Sequence, residues 1–378
     1  MKKLLLEAFT LCAIIGVVRY GFAQTWTKTS AKAFALSLGI SADGLIIVSF
    51  GSDTPLVSTN GGVTWITPFF TPAPSFPPQR VASSADGTKM IVFGSNVVGT
   101  YVSQDSGISW FQVASPSQNL SVVAISADGN TLFAGANGGS IFKSTNFGTN
   151  WVATRAPSNT WRCIALSTDG IKLAAGTTGG TIFTSTNSGL TWMPTTAPTN
   201  DWTSIASSSD GSRLVAATGG NIYISTNSGG SWTPVGVPGY AVASSADGSK
   251  LIVVAIGNGV YMSTNFGVNW ASTNIAYAGW NSVASSADGN ELVAGGGGGI
   301  WMYQVTPSPR LNLVFSNNNL SFSWLIPSTN FVLQQNLDLT TTNWLTLTNV
   351  PTLNFANLNN ELTLSSSNSS GFYRLATP

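Results

Sequence analysis

An eight-residue pattern, S-T-N-x-G-x-x-W, recurs along this 378-residue chain at 58–65, 144–151, 185–192, 225–232 and 263–270, with a looser copy, SQDSGISW, at 103–110. A second pattern, S-A-D-G or a near copy, travels with it; its acid falls at Asp43, Asp86, Asp128, Asp169, Asp210, Asp247 and Asp288. Successive acids lie 43, 42, 41, 41, 37 and 41 residues apart. A period near 40 residues is about what four short antiparallel strands and their turns consume, the unit of a β-propeller blade. Coils of a β-helix are shorter, and a helical repeat would show an apolar period of about 3.6 residues, which is absent.

The fourth unit shows how each one parses. Residues 161–167 alternate loosely and form a first strand, and Thr168, Asp169 and Gly170 turn the chain. Asp bonds its own backbone in such a turn, and Gly accepts a positive φ. Residues 172–175 give a second strand, 176–180 a glycine-rich hairpin, 181–184 a third strand, 185–189 the next turn, and 190–194 open a fourth.

The two ends imply a ring. The seventh unit runs through Gly299, Ile300, Trp301 and Met302, matching Gly259, Val260, Tyr261 and Met262, and then lacks its S-T-N-x-G-x-x-W. Gln24 to Lys28 (QTWTK) looks like the missing outer strand without a blade and matches Asn269, Trp270, Ala271 and Ser272. The expectation is all-β: a seven-bladed β-propeller closed by an N-terminal strand, residues 25–29 pairing with 299–305 so that no sheet edge stays open. A small β-sandwich follows it.

Residues 1–23 read as a secretory signal, with Lys2 and Lys3 leading, an apolar run interrupted by Glu7 and Arg19, and Gly21, Phe22 and Ala23 at the cleavage position. The expected organisation is a signal peptide at 1–23, a propeller at 24–305, a linker at 306–309 (TPSP) and a C-terminal module at 310–378. Secretion, or a periplasmic or cell-surface location of bacterial type, agrees with a chain that is only 8% charged and takes its polarity from Ser, Thr and Asn. Loss of the leader removes Lys2, Lys3, Arg19 and Glu7 and leaves 12 basic and 13 acidic residues. No basic stripe remains to neutralise phosphates, so a nucleic-acid partner is excluded. Cys163 would then be the sole cysteine, a small buried filler, and with no His anywhere it lacks a base to make it a nucleophile.

Beyond the linker the period vanishes. Strand-like runs fall at 311–315, 320–324, 331–335, 344–347, 361–364 and 372–375, with Trp324, Trp344 and Phe372 as candidate core anchors. This size is near the lower limit for a stable β-sandwich without disulfides. The tail resembles the fibronectin-type-III-like modules that end many secreted bacterial proteins, notably in its closing GFYRL at 371–375.

The S-x-N/D-x-G-x-x-W copies resemble the Asp-box, or bacterial neuraminidase repeat, over roughly residues 24–303. That resemblance implies a propeller like those of sialidases, sortilin-type receptors, some xyloglucan hydrolases and photosystem II assembly factors, with the box a structural hairpin between third and fourth strands, away from any catalytic centre. Five of six copies carry Asn where the family has Asp, and only Asp105 keeps the acid. A neutral amide makes the same local bond, so the box has no metal or catalytic role. The seven S-A-D-G acids are likewise turn caps rather than a ring of calcium ligands.

Both turn families follow strands of one direction and share one face. The other face carries the second-to-third-strand hairpins and the inter-blade connections, the longest being 68–79 with Phe69, Phe70, Phe76 and five prolines. Variable loops on a rigid scaffold are where specificity is placed. There the first strands begin with Trp161, Trp202, Tyr240 and Trp280, and Arg80, Arg162 and Asp201 lie at or beside the same positions. Such a funnel would stack a sugar or grip a peptide. The competing reading is that these aromatics cap the core between blades.

A glycosidase needs two carboxylates flanking the scissile bond. After the turn acids are set aside, the propeller offers Asp53, Asp105 and Asp201, and its one glutamate, Glu291, replaces Lys172 and Lys250 of sister units at a position read as solvent-facing. The arginines there are Arg80, Arg155, Arg162 and Arg213, and no R-I-P signature of sialidases occurs near the start. The reading is a monomeric, non-catalytic binding or scaffold propeller for a protein or glycan, with no cofactor, no metal and no membrane span once the leader is gone. The alternative is a degenerate glycoside hydrolase of sialidase-like or xyloglucanase-like type. If the opening strand closes the ring, deleting residues 24–31 sharply lowers the melting temperature in a calorimetric scan; an unchanged melt contradicts closure.

Overall fold

The turn motifs decide where each strand stops. In the fifth repeat Ser208 Oγ donates to Asp210 Oδ1 at 2.7 Å, the Ser212 amide donates to the same oxygen at 2.9 Å, and the Arg213 amide donates to Ser208 Oγ at 3.0 Å. One serine and one aspartate thus satisfy the donors that a reversing backbone exposes, so the chain can double back immediately. The same bonds recur in the other repeats, for example Ser84 Oγ to Asp86 and Ser245 Oγ to Asp247, each at 2.6 Å.

The structure is a computed structural model that describes residues 26–31, 34–51, 54–74, 78–94, 99–116, 118–257, 259–273, 275, 279–304, 311–316, 319–325, 332–337, 341, 343–354, 359–365 and 372–376. The leader at 1–23, Asp53, Phe76 and the linker at 306–309 lie outside the described residues. Among the described residues there is no helix, and the chain divides into two compact units, one ending near residue 306 and one following it.

In the first unit the strands form antiparallel sheets in chain order. The first sheet holds Ala35–Ile40, Ile47–Gly51 and Leu56–Ser58, extended by a bridge from Val57 to Ile66. The second holds Pro78–Ser83, Met90–Gly94, Thr100–Ser103 and Ser109–Val113. The third (Leu120–Ile125, Leu132–Gly139, Ile141–Ser144, Val152–Ala153) and the fourth (Asn159–Leu166, Leu173–Thr177, Ile182–Ser185, Met193–Pro194) are joined where Leu132–Gly139 pairs with Asn159–Leu166. The fifth comprises Ser204–Ser207, Leu214–Ala217, Ile222–Ser225 and Thr233–Pro234, and the sixth Ala241–Ser244, Leu251–Ala255, Gly259–Ser263 and Ala271–Ser272. In the seventh, Trp280–Ser285, Glu291–Gly296 and Gly299–Gln304 are joined by Trp26–Lys28, with Trp26 opposite Tyr303 and Lys28 opposite Trp301.

The first strands of successive sheets touch in cyclic order, and Ala35–Ile40 meets both Pro78–Ser83 and Trp280–Ser285. The second residue of each S-A-D-G turn fixes that circle. Ala42 N–H donates to Ala85 O, Ala85 to Ala127, Ala127 to Thr168, Thr168 to Ser209, Ser209 to Ala246, Ala246 to Ala287, and Ala287 back to Ala42, all at 2.6–2.9 Å. Each of these amides leaves its own sheet and is satisfied by the next, as a buried backbone group requires.

The turn glycine answers two demands at once. Its φ lies between +66° and +76°, as in Gly289 and Gly44, where a side chain is strained. It also lies under the side chain that opens the preceding sheet's second strand. A Cβ on Gly87 would meet Ile46, on Gly129 Lys89, on Gly211 Lys172, on Gly248 Arg213, on Gly289 Lys250 and on Gly44 Glu291. Most of these seam side chains are bases that reach over the next sheet's acidic turn: Lys89 Nζ donates to Asp128 O at 3.2 Å and to Asn130 Oδ1 at 2.7 Å.

The S-x-N/D-x-G-x-x-W hairpins join the same end. Ser185 Oγ donates to Asn187 Oδ1 at 3.1 Å and accepts from Gly189 N at 2.9 Å, and Thr191 N donates to Asn187 Oδ1 at 2.9 Å. Asp105 makes the equivalent bonds with Ser103 and Ser109. The Ser188 amide then donates to Ile171 O at 2.8 Å, tying the hairpin to the S-A-D-G turn of its own sheet.

The second unit has one sheet ordered Asn312–Ser316, Asn319–Leu325, Asn359–Ser365, Thr352–Asn354 and another ordered Leu345–Thr346, Val332–Asn336, Phe372–Ala376. Its core gathers Phe322, Trp324, Leu333, Leu362, Tyr373 and Leu375. Of the expected anchors Trp324 is buried, whereas Phe372 is half-buried because its neighbour Tyr373 takes the inward place, and Trp344 is half-buried under the Arg374 guanidinium at 4.3 Å.

Gly211→Ala tests the double demand on the turn glycine, because the new Cβ would fall 2.9 Å from Lys172 Cβ at a φ of +69°. The expected loss in urea unfolding exceeds the cost of a positive φ alone, about 1–2 kcal/mol. Gly179→Ala, at φ +67° with open space around it, should show only that cost.

Candidate functional site

At the end of the ring opposite the S-A-D-G turns, the first strands slip register by one residue. The slips fall between Ala35 and Ser37, Pro78 and Arg80, Leu120 and Val122, Trp161 and Cys163, and Trp280 and Ser282. Leu36, Gln79, Ser121, Arg162 and Asn281 are the extra residues, and Thr203 and Tyr240 hold the same place, five before the turn serine, in the fifth and sixth sheets. A bulge re-aims the residues on either side of it.

That slip corrects the expected aromatic funnel. Trp161, Trp202 and Trp280 are each 0% exposed. They sit one residue before the bulge position and point into the seam between sheets. Trp161 Nε1–H donates to Gly139 O of the preceding sheet at 2.9 Å, and Trp202 Nε1–H to Gly180 O at 3.0 Å. Each also packs on aromatics of its own sheet: Trp161 on Phe183 and Trp192 at 5.6 and 6.1 Å, Trp202 on Tyr223 and Trp232 at 5.2 and 6.2 Å, Trp280 on Trp301 at 6.4 Å. Burying each indole removes apolar area, and in Trp161 and Trp202 the single donor is satisfied as well, whereas the Trp280 N–H is buried without a partner; all three rings are core rather than a stacking surface. Tyr240 is not their equivalent. Gly239 takes the tryptophan's place in the sixth sheet, where Ile222 and Val253 fill the space, and Tyr240 is a half-buried bulge residue.

Three of the expected site residues are linked electrostatically through Arg80. Arg80 is half-buried, and its Nη1 donates to Gln79 O at 3.1 Å. It occupies the position where Ser37, Ser204 and Ser282 accept an amide from the next sheet. Burial lowers its pKa, the Tyr240 hydroxyl opposes that shift, and the Arg162 guanidinium adds to it. Arg80, Arg162 and Tyr240 belong to the second, fourth and sixth sheets, which are not neighbours, and Arg80 feels the charge of both others. Arg162 itself is exposed. Asp201 does not join them: it is exposed, and its Oδ1 accepts the Gly179 amide at 2.7 Å, capping the hairpin of the fourth sheet.

The long connection at 68–79 is partly architecture. Phe69–Thr71 adds a fifth strand, parallel to Ser109–Val113, on the outer edge of the second sheet. Phe70 stacks on Trp110 at 5.7 Å and meets Phe50 and Tyr101 edge-on, leaving Phe69 exposed. Two neighbouring phenylalanines in a strand point to opposite faces, but their partner, 40 residues on in sequence, has no local signal.

The turn acids are committed to turns. Burial pushes Asp210 up, but bonds from Ser208 and from the Ser212 amide and hydroxyl, with Lys172 near, bring it down to about 2. Asp128 and Asp247 are lowered in the same way. Burial drives the Cys163 thiol up to about 12, which leaves it protonated and unreactive. Glu291 differs from its expected solvent-facing place: it is half-buried, and its Oε2 is buried without a hydrogen-bond partner. Among the described residues no three His, Cys, Asp or Glu side chains are placed to hold a metal ion, and no helix is long and apolar enough to cross a membrane. An axial cavity of about 190 Å³ opens inside the S-A-D-G circle, lined by Ile40, Ile125, Leu166, Ser207, Ser244 and Ser285 and by no ionisable group.

The architecture is therefore that of a propeller-type all-β protein. No family model and no curated protein matches the sequence. Among solved structures it resembles YCF48 from Cyanidioschyzon merolae, at 16% identity and a TM-score of 0.60 over 75% of this chain and 99% of that one. It also resembles YCF48 bound to D1 peptide, at 18% identity and a TM-score of 0.59 over 78% of this chain and all of that one. At these identities the likeness establishes the fold.

Trp202→Ala separates core from ligand surface. It should destabilise the protein by about 3–5 kcal/mol in denaturant unfolding, as loss of a buried Trp does. A near-neutral effect would return Trp202 to the list of binding residues.

Proposed function

We propose that the protein is a secreted, non-catalytic scaffold that binds an extended segment of a partner protein at the mouth of its axis. In this reading the unit is a seven-bladed propeller of Asp-box type. The unbroken circle of turn hydrogen bonds and the pairing of Trp26–Lys28 with Gly299–Gln304 support the blade count and the closing strand. The Ser and Asn bonds within the S-x-N-x-G-x-x-W hairpins support the box as a fold element. The C-terminal unit then serves as a fibronectin-type-III-like spacer or attachment module.

The observation that carries the binding site is the half-buried Arg80, whose charge feels the exposed Arg162 and the half-buried Tyr240 of two non-adjacent sheets. Two guanidiniums within electrostatic reach of one another repel, and an acceptor-rich guest relieves that repulsion. A peptide backbone, with its carbonyls and any acidic side chains, is such a guest. One structural neighbour is YCF48 bound to D1 peptide, which agrees with a peptide guest for this fold. Against hydrolysis stand the acids themselves: the seven S-A-D-G aspartates and Asp105 cap turns, and Asp201 caps a hairpin.

Panning a random dodecapeptide display library on the purified chain, followed by anisotropy titration of a selected peptide, tests the site. Arg80→Ser, which installs the residue of the fifth and seventh sheets, and Arg162→Ala should each weaken binding roughly tenfold, the value of one charged hydrogen bond. Unchanged affinity in both variants removes the mouth as the site. Turnover of an aryl glycoside by the wild type overturns the non-catalytic reading.

A further inference from the structure

The seam between the seventh and first sheets differs electrically from the others. At the place where Lys89, Lys172, Arg213 and Lys250 reach over the next sheet's turn, the seventh sheet offers Glu291. Its carboxylate lies on Gly44, so closely that a Cβ there would fall 1.5 Å from Oε2. The groups facing it are acids. Asp43, from the first sheet's turn, is held by Ser41 Oγ at 2.5 Å and the Leu45 amide at 3.0 Å. Asp288, from the turn of Glu291's own sheet, is held by Ser286 Oγ at 2.8 Å and by Asn290. The one base in the network, Lys250 of the sixth sheet, lies beyond Asp288 with its Nζ on Asn290 Oδ1. Glu291 Oε2 is buried with no donor.

This seam is also where the ring would part. Opening it must break the bonds of Trp26–Lys28 with Gly299–Gln304, Thr29 N to Ile300 O at 2.9 Å, Leu38 N to Ser282 Oγ at 3.0 Å, and Ala287 N to Ala42 O at 2.9 Å. No covalent link between the seventh sheet's own three strands and the first sheet opposes it, since Trp26–Lys28 belongs to the chain segment that leads into the first sheet.

We propose that the proton on Glu291 is the latch of this ring: while Glu291 is protonated the seventh sheet stays seated on the first, and its loss in mildly alkaline medium loosens that seam alone. Burial first, then Asp288 and Asp43, push the Glu291 carboxyl up to about 8 from 4.5. The sign follows. Between those values the folded chain keeps a proton that the unfolded chain releases, so stability is full at low pH and falls as pH rises through about 8. The turn aspartates with lowered pKa act in the opposite sense and below pH 4, outside this window.

The test uses the full chain, with melting temperature recorded from pH 5.5 to 9 and hydrogen exchange, corrected for intrinsic rates, at pH 7 and 9. Wild type should lose melting temperature up to about pH 8, and opening of 26–28 and 299–304 should rise about tenfold in all between pH 7 and 9, levelling off once Glu291 has titrated near 8. Glu291→Gln should hold both flat, and Glu291→Lys, which copies the fourth and sixth sheets, should melt above wild type at pH 9. The strands at 259–263 and 271–272 of the sixth sheet should not respond. Parallel melting profiles of wild type and Glu291→Gln, or an exchange increase that the sixth sheet shares or the Gln variant keeps, would overturn the latch.

Discussion

A circle of backbone hydrogen bonds, one amide and one carbonyl from each S-A-D-G turn, is the constraint to which the rest of the first unit conforms. Its bonds do not depend on side-chain identity, and Ala, Thr and Ser all occupy the linking position, at Ala42, Thr168 and Ser209. What they do require is a turn that never changes shape. The serine and aspartate hold that shape, and the glycine admits both the positive φ and the neighbouring side chain. Because the S-x-N-x-G-x-x-W hairpins are bonded to these turns, the uniformity spreads over the whole of that end. Repetition there is a demand of ring geometry, and it leaves no freedom for specificity.

Sparse charge gives individual ionisable groups unusual weight. The chain is only 8% charged, so most seam side chains have few electrostatic neighbours, and the bases at the second-strand openings meet mainly turn acids and carbonyls. Arg213 departs from the pattern by lying over the Phe266 ring at 3.9 Å, a cation–π contact that serves the same joining role. A single reversal of sign, at Glu291, therefore has no surrounding charge to absorb it except Lys250, which Asn290 and Asp288 already engage.

The propeller-type, all-β architecture was legible because each turn is written in short-range chemistry: Ser, Asp or Asn, and Gly at fixed offsets. Asn in place of Asp misled nothing, since Asn187 Oδ1 accepts the same amide that Asp105 Oδ1 does. The candidate site was legible only in part. Arg80 feels both Arg162 and Tyr240, but a strict two-residue alternation cannot reveal a bulge, and one extra residue at position 162 sends Trp161 into the seam and leaves Arg162 exposed. Glu291 was misread for a different reason. Its position is that of sister lysines, whose long stems carry the charge outward, whereas a glutamate is two methylenes shorter and leaves its carboxylate on the neighbouring turn. Phe70 was missed because parallel pairing with residues near Trp110 is set by tertiary packing, and the Phe-Pro run resembles a loop.

The bulge position shows how a repeated scaffold acquires one-sided function. Leu36, Gln79, Ser121, Arg162, Thr203, Tyr240 and Asn281 share a strand position, yet no two are the same residue. A bulge loosens the pairing at this position, so the residue type there is less constrained than on either side. Some return a side-chain bond to the backbone, as Thr203 Oγ1 does to Tyr240 O at 2.6 Å and Ser121 Oγ to Trp161 O at 2.5 Å. These two tie neighbouring sheets together, while Arg162 stays exposed and Tyr240 half-buried. The same irregularity that carries the tryptophans into the core thus leaves one position per sheet free to vary, and the seven different residues there make this end of the ring asymmetric where the turn end is uniform.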